Sequence, residues 1–106
     1  MQRIHYSGAS LVTGDDIASC VVEYASALAR TGACAQLTLP VRLNDGGVGS
    51  ATILLGPASQ LVTVTEPSPF EKFDAPELVS AWRNEIEALA EFGLSRIGNA
   101  GDAEVE

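Results

Sequence analysis

The clearest pattern in the chain is the strict alternation of apolar and polar residues over 35–43. Every second position is apolar: Ala35, Leu37, Leu39, Val41 and Leu43. A period of two indicates a strand with one buried face. Pro40, on the polar side, lacks the N–H group that a β-ladder requires, which predicts an edge strand or a bulge at this position.

Three further strands are predicted, over 3–7, 48–55 and 60–65. Residues 8–12 are interpreted as a loop. Asn44–Gly47 and Gly56–Ser59 carry the glycine and proline residues typical of tight turns. The three strands between residues 35 and 65 are therefore expected to form an antiparallel meander.

Two helices are predicted from similar start signals. The first covers 14–30, with Thr13 as the capping residue and Gly32 as the left-handed terminator. The second covers 75–92 and is expected to end at Gly93.

The first predicted helix carries more apolar surface than one sheet face can cover. Its apolar positions span an arc of about 220°, roughly twice what packing on a single layer needs. Either the second helix or a protein partner must cover the excess. The helix positions predicted to contact a partner are Ala18, Val22, Ala25 and Ala29.

The element order β-α-β-β-β-α predicts an α+β fold, a two-layer α/β sandwich. We expect one mixed, four-stranded sheet with both helices on one face, and a right-handed crossover that makes the first two strands parallel. The opposite face is expected to be polar and rich in threonine. Its threonines form a second candidate interface: Thr38, Thr52 and Thr63, with Thr65 beside them. Residues 1–93 are assigned to a single domain, and 94–106 to an acidic, disordered tail.

Composition narrows the possible partners. The 106 residues include 14 acidic and 6 basic side chains, a formal net charge of −8. This charge argues against binding to nucleic acids or to anionic membranes, both of which require clustered positive charge. With no signal-peptide pattern and no long apolar run, we expect a cytoplasmic protein whose Cys20 and Cys34 are reduced.

No catalytic motif is present. The glycine-rich segment 43–62 has no neighbouring lysine and leads into strands, so we interpret it as turns and not as a phosphate-binding loop. The only histidine, His5, has no metal-ligand spacing around it. No metal or cofactor is predicted. A small-molecule site near His5, Thr13 and Asp16, where a strand meets the helix start, remains an alternative.

Residues 48–65, which include GSATILLGPASQL, together with the Trp-bearing amphipathic helix that follows, resemble segments of small, uncharacterised proteins of high-GC Gram-positive bacteria. The resemblance extends to the element order. It implies a bacterial origin but no activity and no functional residues.

Three functions are consistent with the sequence. The first is a non-enzymatic protein-interaction module that self-associates, most simply as a homodimer. The second is a small-molecule binding protein or weak enzyme that uses the site near His5. The third is an acidic regulator or inhibitor of a basic protein partner.

Overall fold

The computed structural model describes residues 1–70 and 72–100. It has an α+β fold with five strands and two helices. The elements are β1 (Gln2–Tyr6), β2 (Ala9–Thr13), α1 (Asp15–Thr31), β3 (Ala35–Arg42), β4 (Val48–Leu55), β5 (Leu61–Thr65) and α2 (Pro76–Ala100).

The predicted loop at 8–12 is instead a strand, β2, that forms a hairpin with β1. The two-residue turn is Ser7-Gly8, and both residues have positive φ angles of 52° and 81°. Such left-handed turns match the twist of the flanking strands. The segment was misread because Ser7 adopts a conformation that serine rarely takes.

The sheet order is β4-β3-β2-β1-β5, and all neighbouring strands are antiparallel. The predicted mixed, four-stranded sheet is therefore wrong in detail. Because β2 lies between β1 and β3, no parallel pair forms across α1. The predicted meander holds for β3 and β4, whereas β5 leaves β4 and pairs with β1.

The sheet curls strongly around its helix-facing side. β1 and β4 are three strand spacings apart in the hydrogen-bonding order, about 14 Å in a flat sheet. Yet the hydroxyl of Tyr6 in β1 donates to the backbone carbonyl of Leu54 in β4. Because a tyrosine side chain cannot span the flat distance, the curl must bring the ends of these strands together.

Pro40 lies inside the sheet order and not at an edge, but the ladder beside it is short. β3 pairs with β2 through the single residue pair Val12↔Arg42. The hydroxyl of Thr13 donates to the carbonyl of Pro40 at 2.7 Å, so the backbone of Pro40 faces β2. The β2–β3 ladder does not extend to Pro40, so the absence of an N–H group there removes no ladder hydrogen bond.

Helix α1 confirms the predicted extent to within one residue at each end. It ends at Gly32, whose φ of 70° is left-handed and whose N–H donates to the carbonyl of Leu28. The predicted cap is wrong, because the residue preceding the helix is Gly14 and no side chain caps it. Thr13 is buried in β2, where its hydroxyl donates a hydrogen bond to the carbonyl of Pro40.

The surplus apolar surface of α1 is covered on two sides within the chain. Buried strand residues such as Ile4, Leu39 and Leu55 form one cluster with Ile17 and Leu28 of α1. Helix α2 packs on another side of α1. One of the two covers expected from the sequence, the second helix, is therefore present.

Contacts between the helices centre on one aromatic pair. Tyr24 of α1 meets Trp82 of α2 edge to face, with ring centroids 6.5 Å apart. The hydroxyl of Tyr24 donates to Oε1 of Glu85 at 2.5 Å, and Arg83 approaches Glu23 at 3.6 Å. Polar groups thus rim a buried aromatic contact.

This contact predicts a stability loss at alkaline pH. Burial, reinforced by the hydrogen bond to the Glu85 carboxylate and by its charge, raises the pKa of Tyr24 from 10.0 to about 12. A group whose pKa is higher in the folded state than in the unfolded state stabilises the fold at pH values below the unfolded-state pKa. This stabilisation is lost as the pH rises through the folded-state pKa. Between pH 10 and 12, the free energy of unfolding should fall more steeply for the wild type than for Tyr24→Phe. Urea unfolding at several pH values measures this, and parallel curves for the two proteins would contradict it.

Helix α2 continues past Gly93, the predicted terminator, to Ala100. A glycine inside a helix costs about 1 kcal/mol relative to alanine but does not by itself end the helix. The disordered tail predicted for 94–106 falls partly on residues 101–106, which lie outside the described residues.

Candidate interaction surface

One whole face of the sheet is left uncovered by the helices. We call it the open face. Strand register and alternation assign to it Arg3, His5, Ser10, Val12, Gln36, Thr38, Pro40, Arg42, Val48, Ser50, Thr52, Leu54, Val62 and Val64. The alternate strand positions, among them Ile4, Leu37, Leu39 and Val41, point to the core and are buried.

The strand residues of the open face include no carboxylate, although the chain has 14 acidic residues. The carboxylate of Glu66, immediately after β5, reaches this face and is paired there with Arg3. Its two arginines both contact groups of the same chain. Arg3 bonds Glu66 at 2.7 Å and Ser10 at 3.0 Å, and the hydrogen bond from Arg3 lowers the pKa of Glu66. Arg42 donates to the Gly46 carbonyl at 2.7 Å. The open face is thus less negatively charged than the chain as a whole.

Exposed aliphatic side chains lie on the two edge strands of this face. On β5, Val62 is 59% exposed and Val64 43%; on β4, Leu54 is 64% exposed and Val48 55%. Single exposed apolar residues are common on protein surfaces. Val62 and Val64 are neighbours on this face of β5, and such an exposed aliphatic pair on an edge strand points to a contact surface.

Two of the four predicted threonines lie on the open face, and two do not. Thr38 and Thr52 are directly opposed on β3 and β4, and their hydroxyls are 2.9 Å apart. Thr63 pairs with Ile4, so it belongs to the helix-facing side of the sheet, as does Thr65. On β5, Val62 and Val64 lie on the open face, where the sequence predicted Thr63 and Thr65.

The four helix positions predicted to form an interface are divided by the fold. Ala18 is buried and Ala25 is half-buried, so both help to fill the molecule's own packing. Val22, 41% exposed, and Ala29 face solvent. What remains of the apolar surplus is a narrow strip, smaller than the open face.

The residues predicted to form a ligand site are not brought together on one surface. His5 is exposed on the open face, opposite Ser10 and Val62. Thr13 is buried on the helix-facing side, and its hydroxyl already donates to a carbonyl. Asp16 is exposed in the first turn of α1. The site expected at this strand end therefore has no shared cavity.

A cleft of about 530 Å³ lies between one end of the open face and the loop that follows β5. Arg3, Arg42, Glu66 and Phe70 are among its lining residues. The guanidinium of Arg42 lies 5.5 Å from the Phe70 ring centroid and 5.0 Å from that of Phe73. These contacts hold the loop against the sheet. We therefore interpret the cleft as the gap left where the loop packs on the sheet, and not as a ligand site.

Groups that could support chemistry are sparse in the described part of the chain. Among the residues that the structure describes, no three His, Cys, Asp or Glu side chains are grouped so that they could hold a metal ion. Cys20 and Cys34 are free thiols, the first buried and the second exposed. Burial raises the pKa of the Cys20 thiol, which lowers its reactivity.

No protein family, curated protein or solved structure matches this chain. No helix in the described residues is both long enough and apolar enough to cross a membrane.

Proposed function

We propose that the protein is a non-enzymatic interaction module that self-associates through the open side of its sheet. One observation carries the proposal: β5 presents Val62 and Val64 to solvent on a face whose strand residues include no carboxylate and where the adjoining Glu66 carboxylate is paired with Arg3. Burying exposed aliphatic surface in a second copy contributes about 25 cal/mol per Å².

Charge supports a second copy meeting the protein at this face. Two chains that each carry a net charge of −8 repel one another over most of their surface. The repulsion is weakest at the open face, whose strands carry two arginines and no carboxylate and whose adjoining Glu66 is paired with Arg3, so approach through this face is the least opposed. The small-molecule alternative is weakened because its predicted residues lie on different faces of the molecule.

The proposal is tested by mass in solution over a wide range of protein concentration. Light scattering should show the wild type moving from monomer to dimer as concentration rises. Val62→Glu places a carboxylate in the exposed aliphatic pair and should shift this transition to at least tenfold higher concentration. Because Val62 is 59% exposed, the fold should tolerate the change.

Val22→Glu is the matched control, because it makes the same substitution at an exposed valine on α1. It should associate as the wild type does. A wild type that stays monomeric throughout would overturn self-association. Loss of the dimer in Val22→Glu but not in Val62→Glu would move the contact from the sheet to the helix.

A further inference from the structure

Strand β5 is exposed to solvent on three sides. Val62 and Val64 are open on one face, and Thr63 and Thr65 are exposed on the other, because the helices do not reach over this strand. Its outer edge is also unpaired, since β5 is the last strand in the sheet order. An uncharged, unprotected edge strand is a template for pairing with another strand.

The register identifies which backbone groups face outward. Glu66 N–H donates to the carbonyl of Met1, so this pair is hydrogen-bonded within the β1–β5 ladder. Hydrogen-bonded and non-hydrogen-bonded pairs alternate along an antiparallel ladder. The backbone N–H and C=O groups of Val64 and Val62 therefore also point to β1. The N–H and C=O groups of Leu61, Thr63 and Thr65 consequently point to the free edge.

We propose that two copies of the protein pair along their β5 edges, antiparallel, about a two-fold axis through Thr63. This inference rests on the self-association proposed above and specifies its geometry. Thr63 would lie opposite Thr63 of the partner subunit, and Leu61 opposite the partner's Thr65. Three outward-facing residues per copy then exchange about six backbone hydrogen bonds, and the two sheets become one.

The sequence of β5 fits its own copy in this arrangement. The sequence LVTVT is nearly the same in both directions about Thr63. Each valine is therefore opposite a valine, Thr63 is opposite Thr63 of the partner subunit, and Leu61 is opposite the partner's Thr65. In this pairing Val62 faces the partner's Val64 on the open side, which joins four valines into one cluster. Residues 57–65 contain no charged side chain, so no like charges are opposed within the paired strands.

Charge substitutions at the two-fold axis test the proposal, because Thr63 is the one position that opposes itself. Thr63→Lys and Thr63→Glu each place like charges face to face at about 5.5 Å between Cα atoms. Each should weaken dimerisation at least about fivefold. An equimolar mixture should recover the wild-type dissociation constant as a heterodimer, and native mass spectrometry should detect this species above its statistical share of one half.

Two controls separate this geometry from other modes of association. Thr63→Val keeps an uncharged, β-branched side chain and should dimerise as the wild type does. Val48→Glu adds a charge to the open face on β4, at the opposite end of that strand from the contact between Leu54 and Tyr6, and should also leave the dimer intact. A sheet-on-sheet dimer would instead be weakened by Val48→Glu, which would overturn edge pairing.

Failure of this inference differs from failure of the proposed function. If the wild type dimerises but both Thr63 charge variants match it, self-association stands and edge pairing is wrong. A mixture of the two charge variants that forms no excess heterodimer also contradicts the two-fold axis at Thr63. A monomeric wild type at every concentration removes both proposals.

Discussion

Trp82→Ala is expected to lower the free energy of unfolding by about 3–5 kcal/mol, the range for removing a buried tryptophan. Trp82 is 4% exposed and is the one buried side chain among residues 76–91 of α2. Its neighbours along the helix stripe, Leu78, Val79, Ile86 and Leu89, are only half-buried. Within residues 76–91, the indole of Trp82 is therefore the most deeply buried apolar group that α2 contributes to the core.

Urea unfolding followed by far-UV circular dichroism measures the change without depending on tryptophan fluorescence. Trp82→Phe keeps an aromatic ring beside Tyr24 and should cost about half as much, so it remains measurable if the alanine variant does not fold. Val22→Ala, on the exposed strip of α1, should change stability by no more than about 0.5 kcal/mol. A cost below about 1 kcal/mol for Trp82→Ala would contradict the packing described for α2.

A second readout follows the α1–α2 contact directly. The Cys20 thiol lies under α2, with its sulfur 3.9 Å from the carbonyl oxygen of Val79. In a Cys34→Ser background, labelling of Cys20 by a thiol reagent should be faster in Trp82→Ala than in the parent. If labelling accelerates by more than the unfolding constant from urea changes, the helix contact opens locally; an equal change would report global destabilisation only.

Local sequence signals predicted the elements that depend on local physics. Alternation over 35–43 predicted β3, and Asn44–Gly47 predicted the turn into β4, because a single chain segment determines both. The left-handed Gly32 ended α1 where the sequence indicated. The arc of apolar residues on α1 correctly required a second cover, which α2 supplies.

Non-local pairing is what the sequence could not supply. β5 was expected beside β4, its neighbour in the chain, but it pairs with β1, about sixty residues away, because the sheet curls. The β1–β2 hairpin was missed for a different reason, since Ser7-Gly8 is a weaker turn signal than Asn-Gly.

The candidate surface was predicted at the level of a sheet face, but with the wrong residues on β5. Threonines were assigned outward because polar residues usually face solvent. On β5 both faces are exposed, so polarity does not decide orientation, and a shift of one position inverts every side chain. Pairing with His5 and Arg3 is what assigns Val62 and Val64 to the open face. A prediction of the β1–β5 register would have identified them.

Gly14→Ala should lower the free energy of unfolding by about 3 kcal/mol, at the upper end of the range for steric overpacking. A Cβ atom at position 14 would lie 2.3 Å from the carbonyl oxygen of Phe73, a backbone atom that cannot rotate away. Gly14 immediately precedes α1, and Phe73 belongs to the segment leading into α2, so the clash would push the starts of the two helices apart.

The φ angle of Gly14 is −66°, which any residue can adopt, so the expected cost comes from the close approach and not from backbone strain. Gly56→Ala is the matched control, because nothing lies within 4 Å of its added Cβ. It should be neutral or slightly stabilising, since alanine reduces the conformational freedom of the unfolded chain. Urea unfolding of the two variants measures the difference, and equal stability would show that the segment before α2 does not close on Gly14. If the expected difference is found, the absence of any side chain at position 14 is what allows α2 to start beside α1, and thereby to cover the apolar surface that the sheet leaves exposed.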